Sequence, residues 1–345
     1  MNKKKILNIA ILLFAISISL FALNPIVGGE NIYQIASPDT LSNGNSVTGG
    51  ALPYSTAVNI ATNPALTATE QRVVVDIAFT SLMEIPTEKF GFAGHVGAVI
   101  PSKYGVFTGS VYAVSSRLEN LDLGTNISLW GGFAKDITEK LSVGASVNVA
   151  FGSATAANLG LGFTYQLGKI NWLPFLQDVK WGFAFTGIGY GYKPETTGAL
   201  YDGKTSSSPS DFTPRIGISG TFINTEKFDA GLALDLSAPF FQNLIVYPEV
   251  QVLFLDMIRL KVGTEVNLRE LLAGKASVIP GVSLSVKFGI NTKDDSFLAK
   301  QGWQQSELVP ASGYRFLNGN IQAASVGITA HLGLRDTESP EINLW

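Results

Sequence analysis

The chain has 345 residues, of which 46% are hydrophobic and only 15% charged, with a net charge of −3. Charged residues average about a quarter in soluble domains, so this is an apolar chain. Its basic residues are dispersed, which points away from nucleic acid. It contains no cysteine, which excludes disulfides, thiolate metal sites and a lipoprotein-type N-terminal Cys.

The first residues carry Lys3, Lys4 and Lys5 ahead of an apolar run from Ile6 to Phe21. This is the layout of a secretory signal peptide over residues 1–22, with cleavage near Ala22. After these first few dozen residues, no stretch is long and apolar enough for a membrane helix, which needs about 20 residues. Residues 23–70 do not alternate. They are rich in Gly, Ser, Thr and Asn, and Pro53 and Pro64 interrupt them. They predict a compact, partly helical segment that plugs a barrel or lies beneath it.

From residue 71 to 335 the pattern has a period of two, the signature of strands. Leu141, Val143, Ala145, Val147, Val149 and Phe151 share one face, and Ser142, Gly144, Ser146, Asn148 and Gly152 the other. After a small polar turn the pattern restarts with Leu159, Leu161, Phe163, Tyr165 and Leu167. Similar runs begin near Val73, Phe90, Gly105, Ile127, Trp181, Ile216, Phe228, Val246, Ile258, Val282 and Val326, making thirteen strands. Parity slips between Gly187 and Gly191, which predicts a bulge. Residues 193–212 form a polar loop assigned to the cell exterior, and residues 336–345 a C-terminal tail.

The charges decide between two architectures that alternate alike. Asp76, Arg215, Asp229, Asp235, Glu249, Arg259, Lys261, Glu265 and Lys287 all fall on the Gly/Ser/Asn face. A soluble sandwich with two stacked sheets puts charges outside in water. A transmembrane barrel puts aliphatics in lipid, where an Arg or Lys near the midplane costs about 2–4 kcal/mol, and the small polar face inside. The small polar face, the signal peptide and the number of strands select an all-β transmembrane antiparallel barrel. Such barrels have an even strand count, so fourteen are expected, with twelve as the alternative. The missing strand is sought in Thr292–Asn318 or Lys193–Phe212. The expected location is the outer membrane, and the expected partner its lipid bilayer.

Asn63-Pro64-Ala65, preceded by small residues and followed directly by "QRVVVDIAFTSL", resembles the start of FadL-type long-chain fatty acid transporters and their PorV-like relatives. The resemblance is specific over Gly49–Leu82 and architectural elsewhere. Leu66 stands where the family usually has glycine. The resemblance implies a fourteen-stranded barrel with an N-terminal hatch containing Asn63, Pro64 and Ala65. It also implies a hydrophobic small-molecule ligand taken up outside and released sideways through the wall.

His95 and His331 fall on the lumen face, and Ser325 shares a strand with His331. A lipolytic site needs Ser and His within hydrogen-bond reach, and no motif places them so. The simpler reading is polar residues packed against the plug, with no catalytic group, cofactor or metal. Arg259, Lys261 and Lys287 either hold an anionic head group, as guanidinium can bidentately, or form an ion-pair network with Glu249, Glu265 and Asp235. The functional expectation is a non-catalytic, FadL-like barrel that binds or passes small hydrophobic molecules. The alternative is a PorV-like barrel that binds exported proteins or serves as a surface antigen. An apolar pocket between the N-terminal segment and the wall favours the first; a filled lumen favours the second. The face assignment predicts that Val147→Arg blocks insertion while Ser146→Arg is tolerated.

Overall fold

A computed structural model describes residues 35–43, 46–52, 54–85, 87–119, 121–153, 155–171, 174–190, 212–241, 243–272, 278–290, 306–317 and 320–333. The signal peptide, most of the 193–212 loop and the C-terminal tail lie outside the described residues.

Fourteen antiparallel strands close into a barrel. They are β1 (Val73–Glu84), β2 (Lys89–Ser102), β3 (Gly105–Arg117), β4 (Asp122–Thr138), β5 (Leu141–Gly152), β6 (Ala156–Gly168) and β7 (Gln177–Tyr190). Then follow β8 (Thr213–Asn224), β9 (Phe228–Ser237), β10 (Ile245–Phe254) and β11 (Ile258–Gly263, continued at Val266–Asn267). β12 (Gly281–Val286, continued at Phe288–Gly289), β13 (Glu307–Leu317) and β14 (Ile321–Leu332) complete the wall. Each strand pairs with the next in sequence, and β1 closes on β14 from Val73–Leu332 to Glu84–Ile321. Closure leaves no sheet edge, the condition for strands in lipid.

The aliphatic face is the exposed one. Val147 and Val149 are 50% and 40% exposed, whereas Ser146 and Asn148, which alternate with them, are 3% and 2%. A sandwich would show the reverse. The strand missing from the sequence pattern is β13, whose faces are mixed: the inward one carries Arg315 and Gly313 together with aliphatic residues. Val309 and Leu317 point inward and are buried, while Pro310, Ser312 and Tyr314 face outward. The expected bulge lies one step earlier than the glycine run suggested. Leu159 pairs with Ile188 and Leu161 with Phe185, so Gly160 alone faces Thr186 and Gly187. Gly187 sits at φ +70°, which a side chain would resist.

Tight connections at Lys103–Tyr104, Glu139–Lys140, Thr225–Lys227 and Leu255–Met257 share one end of the barrel. Barrels of this type have short periplasmic turns, so this is the inner end. The 193–212 connection leaves from the outer end. Inside runs the N-terminal segment, mostly coil, with a short helix α1 (Pro38–Asn43) and 3₁₀ turns at Ala57–Ala61 and Pro64–Thr67.

One part of the wall is incomplete. The β11–β12 ladder ends at Gly263–Gly281 and the β12–β13 ladder at Val282–Tyr314. β11 and β13 both continue beyond these points towards the outer end. Arg315 of β13 and Glu265 between the two parts of β11, both buried, face each other across this notch at 3.5 Å.

Candidate functional site: the occupied lumen

Glycines on the wall make room for the N-terminal segment. A Cβ on Gly144 would lie 2.5 Å from the Pro64 carbonyl carbon, and one on Gly162 would lie 2.0 Å from Asn63 Oδ1. Gly182 meets the Val47 carbonyl in the same way, and Gly281 the Leu41 carbonyl. No larger residue fits at these positions without moving backbone or a buried side chain.

Asn63 is the knot of this arrangement and is fully buried. Its Nδ2 donates to the Val47 carbonyl at 2.7 Å and to the Phe163 carbonyl of β6 at 3.1 Å. Its Oδ1 accepts from Ala65 N at 3.0 Å, capping the turn that Pro64 begins. Asn is a strong N-cap, and Pro at the first helical position is pre-organised. The tripeptide thus joins two stretches of the segment to the wall.

Polar contacts repeat around the ring. Ala57 N donates to Asp76 Oδ2 on β1 at 2.7 Å, and His95 Nε2 lies 3.3 Å from Asp76 Oδ1. Leu52 N donates to Gln251 Oε1 of β10 at 2.6 Å, and Gln251 Nε2 donates to Glu249. Lys261 Nζ sits between Asp39 of α1 (3.5 Å) and Glu249 of the wall (3.7 Å). The Arg259 guanidinium lies 4.2 Å from the ring centre of Tyr54, within cation–π range. At the inner end, Arg72 Nη1 reaches Glu307 at 2.9 Å, and Lys287 reaches Asp256 at 2.5 Å and Glu307 at 3.8 Å.

The basic residues marked in the sequence therefore have separate partners. Arg259 meets Tyr54, Lys261 meets Asp39 and Glu249, and Lys287 meets Asp256 and Glu307. Asp235 lies over Gly217 of β8. Arg215 Nε donates to Thr186 Oγ1 at 3.3 Å near the outer end. Sequence reasoning missed Asp39, Tyr54, Arg72, Glu307 and Arg315. The first three sit in or beside the non-alternating N-terminal segment and the last two in β13, whose two faces are mixed, so periodicity gave no signal. Ser325 Oγ donates to the Phe79 carbonyl at 3.1 Å and accepts from Thr80 at 2.8 Å, while His331 packs 6.0 Å from Tyr54 between ring centres. The six-residue separation along a strand, about 20 Å, keeps Ser325 and His331 apart. Among the described residues, no cluster of three His, Cys, Asp or Glu is suited to a metal.

The outer end of the lumen differs in character. Ile35, Leu41 and Ile60 of the N-terminal segment pack with Leu82, Leu118, Leu121, Leu123, Leu317 and Ile321 in one apolar cluster, each 1% exposed or less. Trp130 and Tyr112 belong to its floor, and Tyr112 Oη donates to the Val58 carbonyl at 3.1 Å. Hollows are found both inside and outside the wall. One of about 30 Å³ lies between the segment and the wall, beside Tyr54, Asp76 and His95. Another, about 420 Å³, opens on the outside of the wall over β8–β11. Where an apolar pocket between segment and wall is expected, Ile35, Leu41 and Ile60 of the segment pack against the wall.

No protein-family model matches this sequence, and no curated protein does. Solved structures with a similar chain path do exist. A Pseudomonas aeruginosa FadL homologue aligns with 91% of this chain and 100% of its own, at 10% identity and a TM-score of 0.49. The Pseudomonas putida toluene transporter TodX covers 88% of this chain and 97% of its own, at 12% identity and 0.48. The CymD monoaromatic hydrocarbon channel covers 88% and 98%, at 13% identity and 0.48. These structural neighbours are FadL-family channels. The likeness is one of chain path alone and assigns no substrate or residue role to this chain.

Proposed function

We propose that this chain is a non-catalytic outer-membrane barrel that binds small hydrophobic molecules at its outer end and passes them inward. The observation that carries this reading is the large apolar cluster at the outer end of the lumen. In mid-barrel the wall turns Ser, Asn, Asp, Lys and Glu inward; Leu82, Leu121, Leu123 and Ile321 line the outer end, and a smaller apolar cluster of Ala57, Val74, Val99 and Val106 lies at the inner end. A hydrophobic molecule arriving there exchanges with Ile35, Leu41 and Ile60 at little cost, since apolar contact replaces apolar contact. Asn63, Pro64 and Ala65 form the fixed part of the hatch, and α1 the part next to the cluster.

A second reading has its own support. A hollow beside the N-terminal segment holds only about 30 Å³, roughly a single water, which favours a plugged barrel of the PorV-like kind that binds exported proteins. One experiment separates the two. Liposomes containing the full chain are loaded externally with radiolabelled oleate or toluene, and accumulation is compared with empty liposomes and with Leu121→Lys. Faster accumulation, lost in Leu121→Lys while the folded band persists in unboiled gel samples, supports passage. Rates equal to empty liposomes for both probes overturn it.

A further inference from the structure

The 420 Å³ hollow is not part of the lumen. Its lining side chains are Ile218, Leu232, Leu234, Pro248, Val250 and Val262, with Phe175, Thr264 and Pro280 at its ends. All the strand residues among these have the outward parity of their strands, and Leu232, Leu234 and Val250 are 40–45% exposed. The hollow is a trough on the face that meets hydrocarbon.

Register explains why a convex wall has a trough here. Ile218 pairs with Leu234, and Leu234 with Pro248. Thr264 N donates to the Pro248 carbonyl at 3.2 Å, and Gly263 pairs with Gly281, immediately after Pro280. Pro248, Thr264 and Pro280 thus fall in one row across neighbouring strands. Two of the three are proline rings, which reach less far from the wall than Leu232 and Leu234 on the neighbouring strand. The row from β8 to β12 spans four strand spacings, about 19 Å at about 4.8 Å each. At its β8 end the 169–176 connection folds back over the outside of the wall. Val179 is fully covered although Trp181, two residues on along the same face, is 47% exposed; Leu176 is 8% exposed, and a Cβ on Gly220 would lie 3.5 Å from Leu176 Cβ. Phe175 then stands as a lip, 57% exposed.

We propose that this trough is a binding site for one acyl chain of an outer-membrane lipid. An apolar hollow of this size does not stay filled with water, and an empty one forfeits the dispersion contacts of its lining. Hydrocarbon is what surrounds this face, and an extended chain matches the trough's length and lack of polar groups. The occupant is lipid and not a molecule in transit, because among the described residues the wall behind the trough is paired, and the notch beyond Gly263–Gly281 at its β12 end is faced by the buried Glu265–Arg315 pair. The β10–β11 ladder is continuous from Phe254–Ile258 to Glu249–Gly263, and behind it stand Glu249, Lys261 and Asp235, all buried. This assignment depends on the barrel lying in lipid, not on the passage of hydrophobic molecules.

The test uses the full chain in nanodiscs containing phosphatidylethanolamine with a diazirine-bearing acyl chain, irradiated and mapped by peptide mass spectrometry. Label is expected to be several-fold denser on residues 174–180 and 245–264 than on the outward faces of β4, β5 and β6. Thr264→Trp and Val250→Trp, which fill the trough from the lipid side, reduce it to the level of those faces. Uniform labelling around the belt overturns the site, as does unchanged labelling in both variants where the folded band persists. Displacement of the label by excess free oleate overturns the assignment to a bilayer lipid and gives the trough to a free hydrophobic molecule.

Discussion

Asn63 shows how much of the interior depends on a single side chain. Its amide satisfies two carbonyls from distant parts of the chain and caps the turn after it. Asn63→Ala leaves those groups buried and unpaired, at about 1–3 kcal/mol, and is expected to lower the temperature at which unboiled protein loses its folded gel mobility. The neighbouring glycines give a sharper test. Gly144→Ala and Gly162→Ala push against Pro64 and Asn63, whereas a Cβ on outward-facing Gly109 meets nothing nearer than 3.9 Å. Limited proteolysis within residues 46–67 is expected to accelerate in the first two variants and to stay unchanged in Gly109→Ala. Equal rates in all three would remove the seat. The small inward face was legible in the sequence, because a period of two separates Gly and Ser from Val and Leu. That several of these glycines are seats for main chain was not, because their partners lie in a segment with no periodicity.

At the scale of elements, most strands announced themselves and one did not. β13 places Val309 and Leu317 inside beside Arg315, and Ser312 outside beside Tyr314, so neither face reads cleanly as polar or apolar. The reason is local: Leu317 joins the apolar cluster at the outer end, where the lumen is not polar. The same strand hid Arg315 and with it the partner of Glu265. That pair joins β11 to β13 where β12 falls short. Removing one member of a buried pair costs about 3–5 kcal/mol, while replacing both by apolar residues is often neutral. Glu265→Leu alone is therefore expected to lower the urea midpoint of refolded barrels in detergent, and Glu265→Leu with Arg315→Met to recover most of the loss. A double variant no better than the single one would show that the pair does not hold the notch.

For the whole molecule, the decisive property is which face meets lipid, and here the sequence argument holds in outline and needs one correction. Val147 lies mid-strand on the exposed face, 50% accessible, while Phe151 lies near the outer end of the same strand and face, 51% accessible. Arg at the bilayer midplane costs about 2–4 kcal/mol and near an interface about 0–1. Val147→Arg is expected to leave most of the protein unfolded in vesicle-insertion assays, and Phe151→Arg to insert nearly normally. Ser146→Arg is not the neutral control that alternation alone suggests. Ser146 is 3% exposed, and beside its partner Gly132 sits Ile60 of the N-terminal segment. The lumen is occupied, so an Arg there must displace the occupant, although it still faces away from lipid. Ser146→Arg should thus insert and give the folded band but lose protection of residues 46–67 against protease. If Val147→Arg and Ser146→Arg failed alike at insertion, hydrocarbon would not be what bathes the valine face.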